Sequence, residues 1–239
     1  MGGFMSKMSE GSFLKRQSDF WNGISQTWSL QNKNPVVGWY DFHNSFPYYK
    51  THLFRGIQNT KDKVVLEIGC GPGRNMILFR DWFARIDGVD IAPDTLIKAR
   101  INLTDAGVPI PNLWAMDGKS LPMIGNASYD IVFMVISHQH ITSRAVRLNL
   151  YKEVNRVLKP GGYFCFQTGY GPGHPRSVDY FAETFAHDDE FVNKDVRVED
   201  LSVLTQDVET AGFHHTDIVL TEPCKDEHPQ WLWLRTEKV

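Results

Sequence analysis

The sequence predicts an α/β fold, a mostly parallel sheet with helices on both faces, and three observations carry that expectation. Residues 61–169 alternate short β-branched runs with helical patterns, as repeated β-α-β units do. The run Val64-Val65-Leu66-Glu67-Ile68-Gly69-Cys70-Gly71-Pro72-Gly73-Arg74-Asn75 reads as a buried strand that turns through three glycines directly into a helix. Tyr129–Val135 is apolar on both faces, which suits a central parallel strand.

The elements follow in order. Residues 1–12, rich in Gly, Ser and Met, are expected to be a flexible N-terminus. Val64–Ile68 is the first strand, and the helix starting near Arg74 carries Met76, Ile77, Phe79, Trp82 and Phe83 inward. Ile86–Asp90 is the second strand, with Pro93 early in the helix that runs to about Thr104. A turn at 107–111 leads to a third strand, Asn112–Met116, and Tyr129–Val135 is the fourth. In a helix from Thr142 to Leu158, Ala145, Leu148, Tyr151, Val154 and Leu158 share one face. Lys159-Pro160-Gly161-Gly162 stops that helix before a fifth strand, Tyr163–Gln167. Residues 169–175 are too dense in Gly and Pro for an element. Glu199–Ala211 reads as a helix ended by Gly212, and Phe213–Leu220 with Gln230–Arg235 as an antiparallel hairpin.

With 239 residues the chain suits one well-buried domain and is short for two. Its 25 basic and 28 acidic side chains give a net charge of −3 and no basic block, which disfavours a nucleic-acid partner. No window nears the length of a membrane span, and nothing resembles a secretory leader. Cys70, Cys165 and Cys224 lie far apart, with neither disulfide-framework nor zinc spacing, so a cytoplasmic location is expected.

Glu67-Ile-Gly-Cys-Gly-Pro-Gly73 followed by Gly88-Val-Asp-Ile91 resembles the first two motifs of the class I S-adenosylmethionine-dependent methyltransferases. The similarity is to the small-molecule branch that includes the ubiquinone and menaquinone methyltransferases (methyltransferase type 11 domain), and it covers about residues 60–225. The dinucleotide fingerprint differs in spacing two residues between its second and third glycines, where this chain has only Pro72. The resemblance implies a Rossmann-like seven-stranded sheet of order 3-2-1-4-5-7-6 over residues 61–239. It also implies a helical cap or acceptor lid over 13–60. Glu153 and Arg156, in the stretch before the fifth strand, are read as a solvated or structural pair.

The implied cofactor is S-adenosyl-L-methionine, with S-adenosyl-L-homocysteine as product. By the resemblance, Gly69, Cys70, Gly71 and Gly73 pass beneath its methionine part, and Glu67 lies near its charged end. Asp90 accepts from the ribose hydroxyls. Ile91 and Met116 sandwich the adenine, and Asp117-Gly118 meets its exocyclic amine, although Asp-Gly is also a common turn. Ile136 completes the set beside the fourth strand. Tyr40, Tyr48 and Tyr49 compete for a contact with the methionine carboxylate.

Methyl transfer needs alignment, and a base when the acceptor is a poorly acidic hydroxyl. His138 and His140 follow the fourth strand where the methyl should emerge, and His43 is the second choice of base. Relatives often keep a histidine there for packing or capping. Trp28, Trp39, Phe42, Tyr170 and His174 are candidates to line the acceptor pocket. An amphipathic cap packed on the sheet would explain the N-terminal rings equally. The scattered histidines show no metal spacing, so no metal is expected. The expected function is methylation of a hydroxyl on a small-molecule metabolite by a monomer or homodimer. An amine nitrogen is the alternative acceptor, a protein or peptide a weaker one.

Overall fold

The computed structural model describes residues 9–25, 48–172, 177–179, 195–223 and 229–239. Helix α1 spans Glu10–Ser25. The sheet and its helices then run β1 Val64–Ile68, α2 Arg74–Leu78, β2 Arg85–Asp90, α3 Pro93–Asp105, β3 Leu113–Ala115 and β4 Tyr129–Met134. Then come α4 Arg144–Val157, β5 Leu158–Tyr170, β6 Ser177–Asp179, β7 Asp195–Val198, α5 Leu201–Thr210, β8 Phe213–Leu220 and β9 Gln230–Lys238.

Strands β3-β2-β1-β4-β5 pair in parallel in that order, and β9 inserts antiparallel between β5 and β8. With β8 and β9 as the sixth and seventh strands, this is the expected order 3-2-1-4-5-7-6. Two further strands were not expected. At Met134 β4 stops, while β5 continues to Tyr170 with β9 on one edge. The edge that β4 vacates is taken by β7, at Gly169↔Arg197 and Tyr170↔Val198, and β6 pairs with β7.

Side-chain alternation in the strands splits the core in two. On one face Leu66, Ile68, Val132 and Phe164 pack against Leu150 and Val154 of α4 and Leu204 and Val208 of α5. On the other, Val65, Ile131 and Phe133 meet Met76 and Ile77 of α2 and Leu96, Ala99 and Leu103 of α3. Phe54 is the hub of that second face, with ring centroids 5.2–5.4 Å from Phe79, Trp82, Phe83 and Phe133. Such edge-to-face pairs add to simple burial. They also account for the first departure from expectation. The helix after the glycine turn ends at Leu78, and Phe79, Trp82 and Phe83 reach the hub from the turns beyond it.

The α4 face is shifted by about one residue. Ala145 is exposed and Leu148 half-buried, while Val146, Arg147, Leu150, Tyr151, Val154 and Val157 are buried. The reason is Arg147, which survives burial because its Nη1 donates to the carbonyls of Ile141 (2.6 Å) and Thr142 (3.1 Å). Strand β5 starts earlier than expected, and Lys159–Gly162 is absorbed as an irregularity: Tyr129 faces Leu158, but Ile131 faces Tyr163. Glu153 and Arg156 pair in a structural role. Glu153 accepts from the Leu121 amide while Arg156 donates to the carbonyls of Leu121 and Ile124. Among the described residues, no helix is long and apolar enough to cross a membrane.

Candidate functional site

At the carboxyl ends of β1, β2 and β4 the sheet opens into a cavity holding about 990 Å³ of empty space, mouth included. Parallel sheets bind ligands at this edge. The glycine turn forms its floor. Gly69 takes φ +70, and a Cβ there would lie 2.5 Å from that of Ser137. Asp90 closes β2 beside the turn. Its Oδ2 accepts from the Gly71 amide at 2.8 Å and its Oδ1 from the Ala92 amide at 2.9 Å. Burial nevertheless pushes its carboxyl above the usual range.

Glu67 is buried at the end of β1. Its Oε1 accepts from Asn75 Nδ2 at 2.6 Å, while Oε2 is buried without a partner. Desolvation outweighs the Asn75 hydrogen bond and the Arg74 charge, and lifts its pKa to about 8. Arg74 also lines the cavity, and its Nη2 donates to Tyr49 Oη at 3.0 Å. Cys70 lines the floor with its thiol pushed well up by burial, so it is inert there.

A second wall comes from α1, in which no individual residue was expected at the site. Phe13, Leu14, Gln17 and Trp21 line the cavity. The helix is docked by Ser18 Oγ, which donates to the Ile91 carbonyl at 2.8 Å, and by Asn22 Oδ1, which accepts from the Asp94 amide at 2.9 Å. Phe13, Gln17 and Trp21 lie at four-residue steps, so an apolar-flanked stripe was the available signal. Ile91, Met116 and Gly118 join this wall, and a Cβ on Gly118 would collide with Ile91 and Leu14 side chains at 2.7 and 2.9 Å.

Asp117 departs from its expected role. It is exposed, and its oxygens accept from the Lys119 amide, the Ser120 amide and Ser120 Oγ at 2.7–2.9 Å. Those bonds hold its carboxyl below the usual range despite partial burial. The carboxylate is thus engaged in closing its own turn, and Asp117 does not line the cavity.

The segment after β4 separates the two histidines. Ile136 lines the cavity at φ +51, a strained conformation for a β-branched residue. The 3₁₀ turn His138–His140 then points the rings apart. His138 is fully buried, with Nε2 2.6 Å from Tyr151 Oη and its ring stacked on Phe166 at 4.3 Å. Burial, aided by the Arg147 charge, holds its pKa well below the ordinary value. It does not line the cavity. The expectation of His138 as the preferred base is therefore corrected: it is a core histidine. His140 does line the cavity, with Nδ1 2.7 Å from Asp195 Oδ1 and its ring 4.8 Å from that of Trp21.

Tyr48 is corrected too, being 38% exposed and stacked on His52 at 4.0 Å, away from the cavity lining. Tyr49 is buried and reaches the site only through Arg74. Tyr170 is half-buried on β5 against the first core and does not line the cavity, contrary to its expected place in the acceptor wall. Trp28, Trp39, Tyr40, Phe42, His43 and His174 lie outside the described residues. Ser137, Asn75, Arg74 and Asp195 were not expected at the site: Arg74 and Asn75 enter it as the first helical residues after the glycine turn, Ser137 through the turn after β4, and Asp195 through the pairing of β7 with β5.

Residues 65–162 match the profile of a family described as "Methyltransferase domain". A ubiquinone biosynthesis O-methyltransferase of Burkholderia pseudomallei (strain 1710b) is 26% identical over 150 residues, covering 62% of this chain and 57% of that one. The chain thus spans a little over half the length of that relative. Among solved structures, the phosphoethanolamine N-methyltransferase 2 of Haemonchus contortus in complex with S-adenosyl-L-methionine superposes with a TM-score of 0.65. The identity is 18%, over 97% of this chain and 60% of that one. A methyltransferase of Thermotoga maritima, titled a possible histamine N-methyltransferase, gives 0.57 at 17% identity over 95% of this chain and all of that one.

Proposed function

We propose that the chain is a class I S-adenosylmethionine-dependent methyltransferase and that it moves the methyl group of S-adenosylmethionine onto a small-molecule acceptor. One observation carries the reading. The glycine turn, Asp90 and the unpartnered buried Oε2 of Glu67 meet at a single cavity. That donor set fits the cofactor. Asp90 would hold the ribose hydroxyls, and Ile91 and Met116 would flank the adenine. Glu67 and Arg74 would take the amino and carboxylate groups of the methionine part, since an acid and a guanidinium complement those charges. When bound, the cofactor supplies an electrophilic methyl on sulfonium sulfur. The residues around it align the acceptor and exclude water.

Calorimetry with S-adenosylhomocysteine tests the cofactor reading. Binding is expected in the parent, with a loss of about 2–5 kcal/mol in Asp90→Ala, the usual cost of truncating one partner of a buried charge-assisted contact. Equal affinity in both proteins, or none in the parent, would end the proposal.

For the accepting atom we favour an amine nitrogen. The two solved structures described above, which superpose over nearly the whole chain, bear N-methyltransferase titles, and the buried His138 removes one of the bases that a hydroxyl would require. A hydroxyl is the second reading, supported by the His140–Asp195 pair at the cavity. The pH dependence of His140→Ala separates them. An amine sheds its own proton in alkaline solution, so turnover with phosphoethanolamine or histamine should recover as pH rises. With an aliphatic alcohol as the productive probe, whose hydroxyl keeps its proton across that range, the activity should stay low throughout.

A further inference from the structure

We propose that Asp195 is a positioning residue, holding His140 in the tautomer that presents a proton-accepting Nε2 to the methyl acceptor. This deepens the function proposed above and rests on it. The placement depends on β7, the strand that occupies the edge of β5 beyond the end of β4. Its first residue, Asp195, is only 7% exposed and meets His140 Nδ1 at 2.7 Å. Nothing in the local sequence joins the two residues. The sheet does.

His140 is held through its backbone and on two sides of its ring. The amide of His140 donates to the Ser137 carbonyl at 3.1 Å, fixing the turn. Trp21 lies against the ring, and its Nε1 donates to Gln17 Oε1 at 3.3 Å. Asp195 takes Nδ1. A carboxylate only accepts, so Nδ1 carries the proton and Nε2 keeps its lone pair. Nε2 is the ring nitrogen with no described partner, on a side chain that lines the cavity. His138, two residues earlier, lacks all of this: its Nε2 is spent on Tyr151 inside the core. Other charged groups on the cavity are Glu67, Arg74 and Asp90, and Arg197 on β7 is paired with Glu199.

The chemistry balances. As the acceptor's lone pair forms a bond to the methyl carbon, the carbon–sulfur bond breaks and its electrons stay on sulfur, leaving a neutral thioether. The proton displaced from the acceptor nitrogen or oxygen passes to His140 Nε2. The adjacent Asp195 carboxylate stabilises the resulting imidazolium.

Long-range ¹H–¹⁵N spectra of histidine-labelled protein test this, with His140 assigned by its absence in His140→Ala. The parent should show a protonated Nδ1 and an unprotonated Nε2. In Asp195→Asn, whose side-chain oxygen still accepts, the tautomer should persist. In Asp195→Ala it should be lost. Diethyl pyrocarbonate, which acylates accessible neutral imidazoles, should modify His140 and spare His138. S-adenosylhomocysteine should slow the His140 reaction several-fold, a protection that a purely structural pair outside the ligand site would not show. A parent His140 protonated at Nε2, an Asp195→Ala variant with unchanged tautomer, or modification indifferent to S-adenosylhomocysteine that calorimetry shows to be bound would each overturn the proposal. Calorimetry on the same samples separates the two failures. A parent that does not bind S-adenosylhomocysteine sinks the cofactor reading, whereas a parent that binds it beside an unpositioned His140 sinks only the role of Asp195.

Discussion

Gly69 and Ser137 approach so closely that a Cβ on the glycine would stand 2.5 Å from the serine Cβ. Ser137 cannot retreat freely, because its Oγ donates to the Ile68 carbonyl at 3.0 Å. The contact locks the end of β1 to the turn after β4 across the floor of the cavity. Gly69→Ala is therefore expected to lose about 1–3 kcal/mol from its left-handed backbone alone, with the clash added. Urea unfolding measures the loss, and S-adenosylhomocysteine affinity should fall with it. An unchanged midpoint would show that the turn relaxes without cost.

Glu67 should make stability fall as pH rises. In the unfolded chain it ionises near 4.5, but in the folded chain it keeps its proton to about 8. Between those values the folded state binds the extra proton, so stability declines from about pH 4.5 to about pH 8 and levels off above. Asp90, raised by the same kind of burial, acts in the same direction. Thermal unfolding from pH 5 to 9 should show a shallower decline in Glu67→Gln. S-adenosylhomocysteine affinity should also climb through pH 8 in the parent and stay flat in Glu67→Gln, since the ionised carboxylate pairs with the amino group of the methionine part. An affinity flat in both proteins would remove Glu67 from the methionine end.

For His138 the pH dependence has the opposite sign. Its folded pKa lies well below 6.5, so below about pH 6.5 the unfolded chain takes up a proton that the folded chain refuses. Stability present at neutral pH should be lost as the solution is acidified. His138→Ala should cost about 2–4 kcal/mol, from the lost ring packing and the lost hydrogen bond to Tyr151. Cofactor affinity should stay within about twofold of the parent. A folded variant that binds the cofactor normally but turns over nothing would return His138 to the chemistry.

The sheet was readable because its signals are local. Val64–Gly73 carries a strand, a turn and a helix start in consecutive residues, and β4 is apolar on both faces whatever surrounds it. Asp90 was readable for the same reason, as the last residue of a short strand. The site beyond it was less so. His138 and His140 would share a side in extended chain, and only the 3₁₀ turn sends one into the core and the other to the cavity. Asp117-Gly118 offered both a turn and a ligand contact, and nothing short of the hydrogen bonds to Lys119 and Ser120 could choose between them. Gln17 and Trp21 show a helical stripe in sequence, but its destination depends on Ser18 finding the Ile91 carbonyl, seventy-three residues away. Asp195 depends on where another strand stops.

The insertion of β9 between β5 and β8 bears on the order of events during synthesis. Every other strand described here leaves the ribosome earlier, yet β5 and β8 each keep an open edge until Gln230–Lys238 arrives. Trp233, fully buried on β9, also touches Tyr48 and Tyr49, and Arg235 binds the Arg55 carbonyl, so the segment around 48–57 waits for the same strand. The nascent chain must therefore carry the open edges of β5 and β8, and the uncovered apolar side chains around 48–57, until β9 is made, the condition under which chaperone binding and aggregation compete with folding.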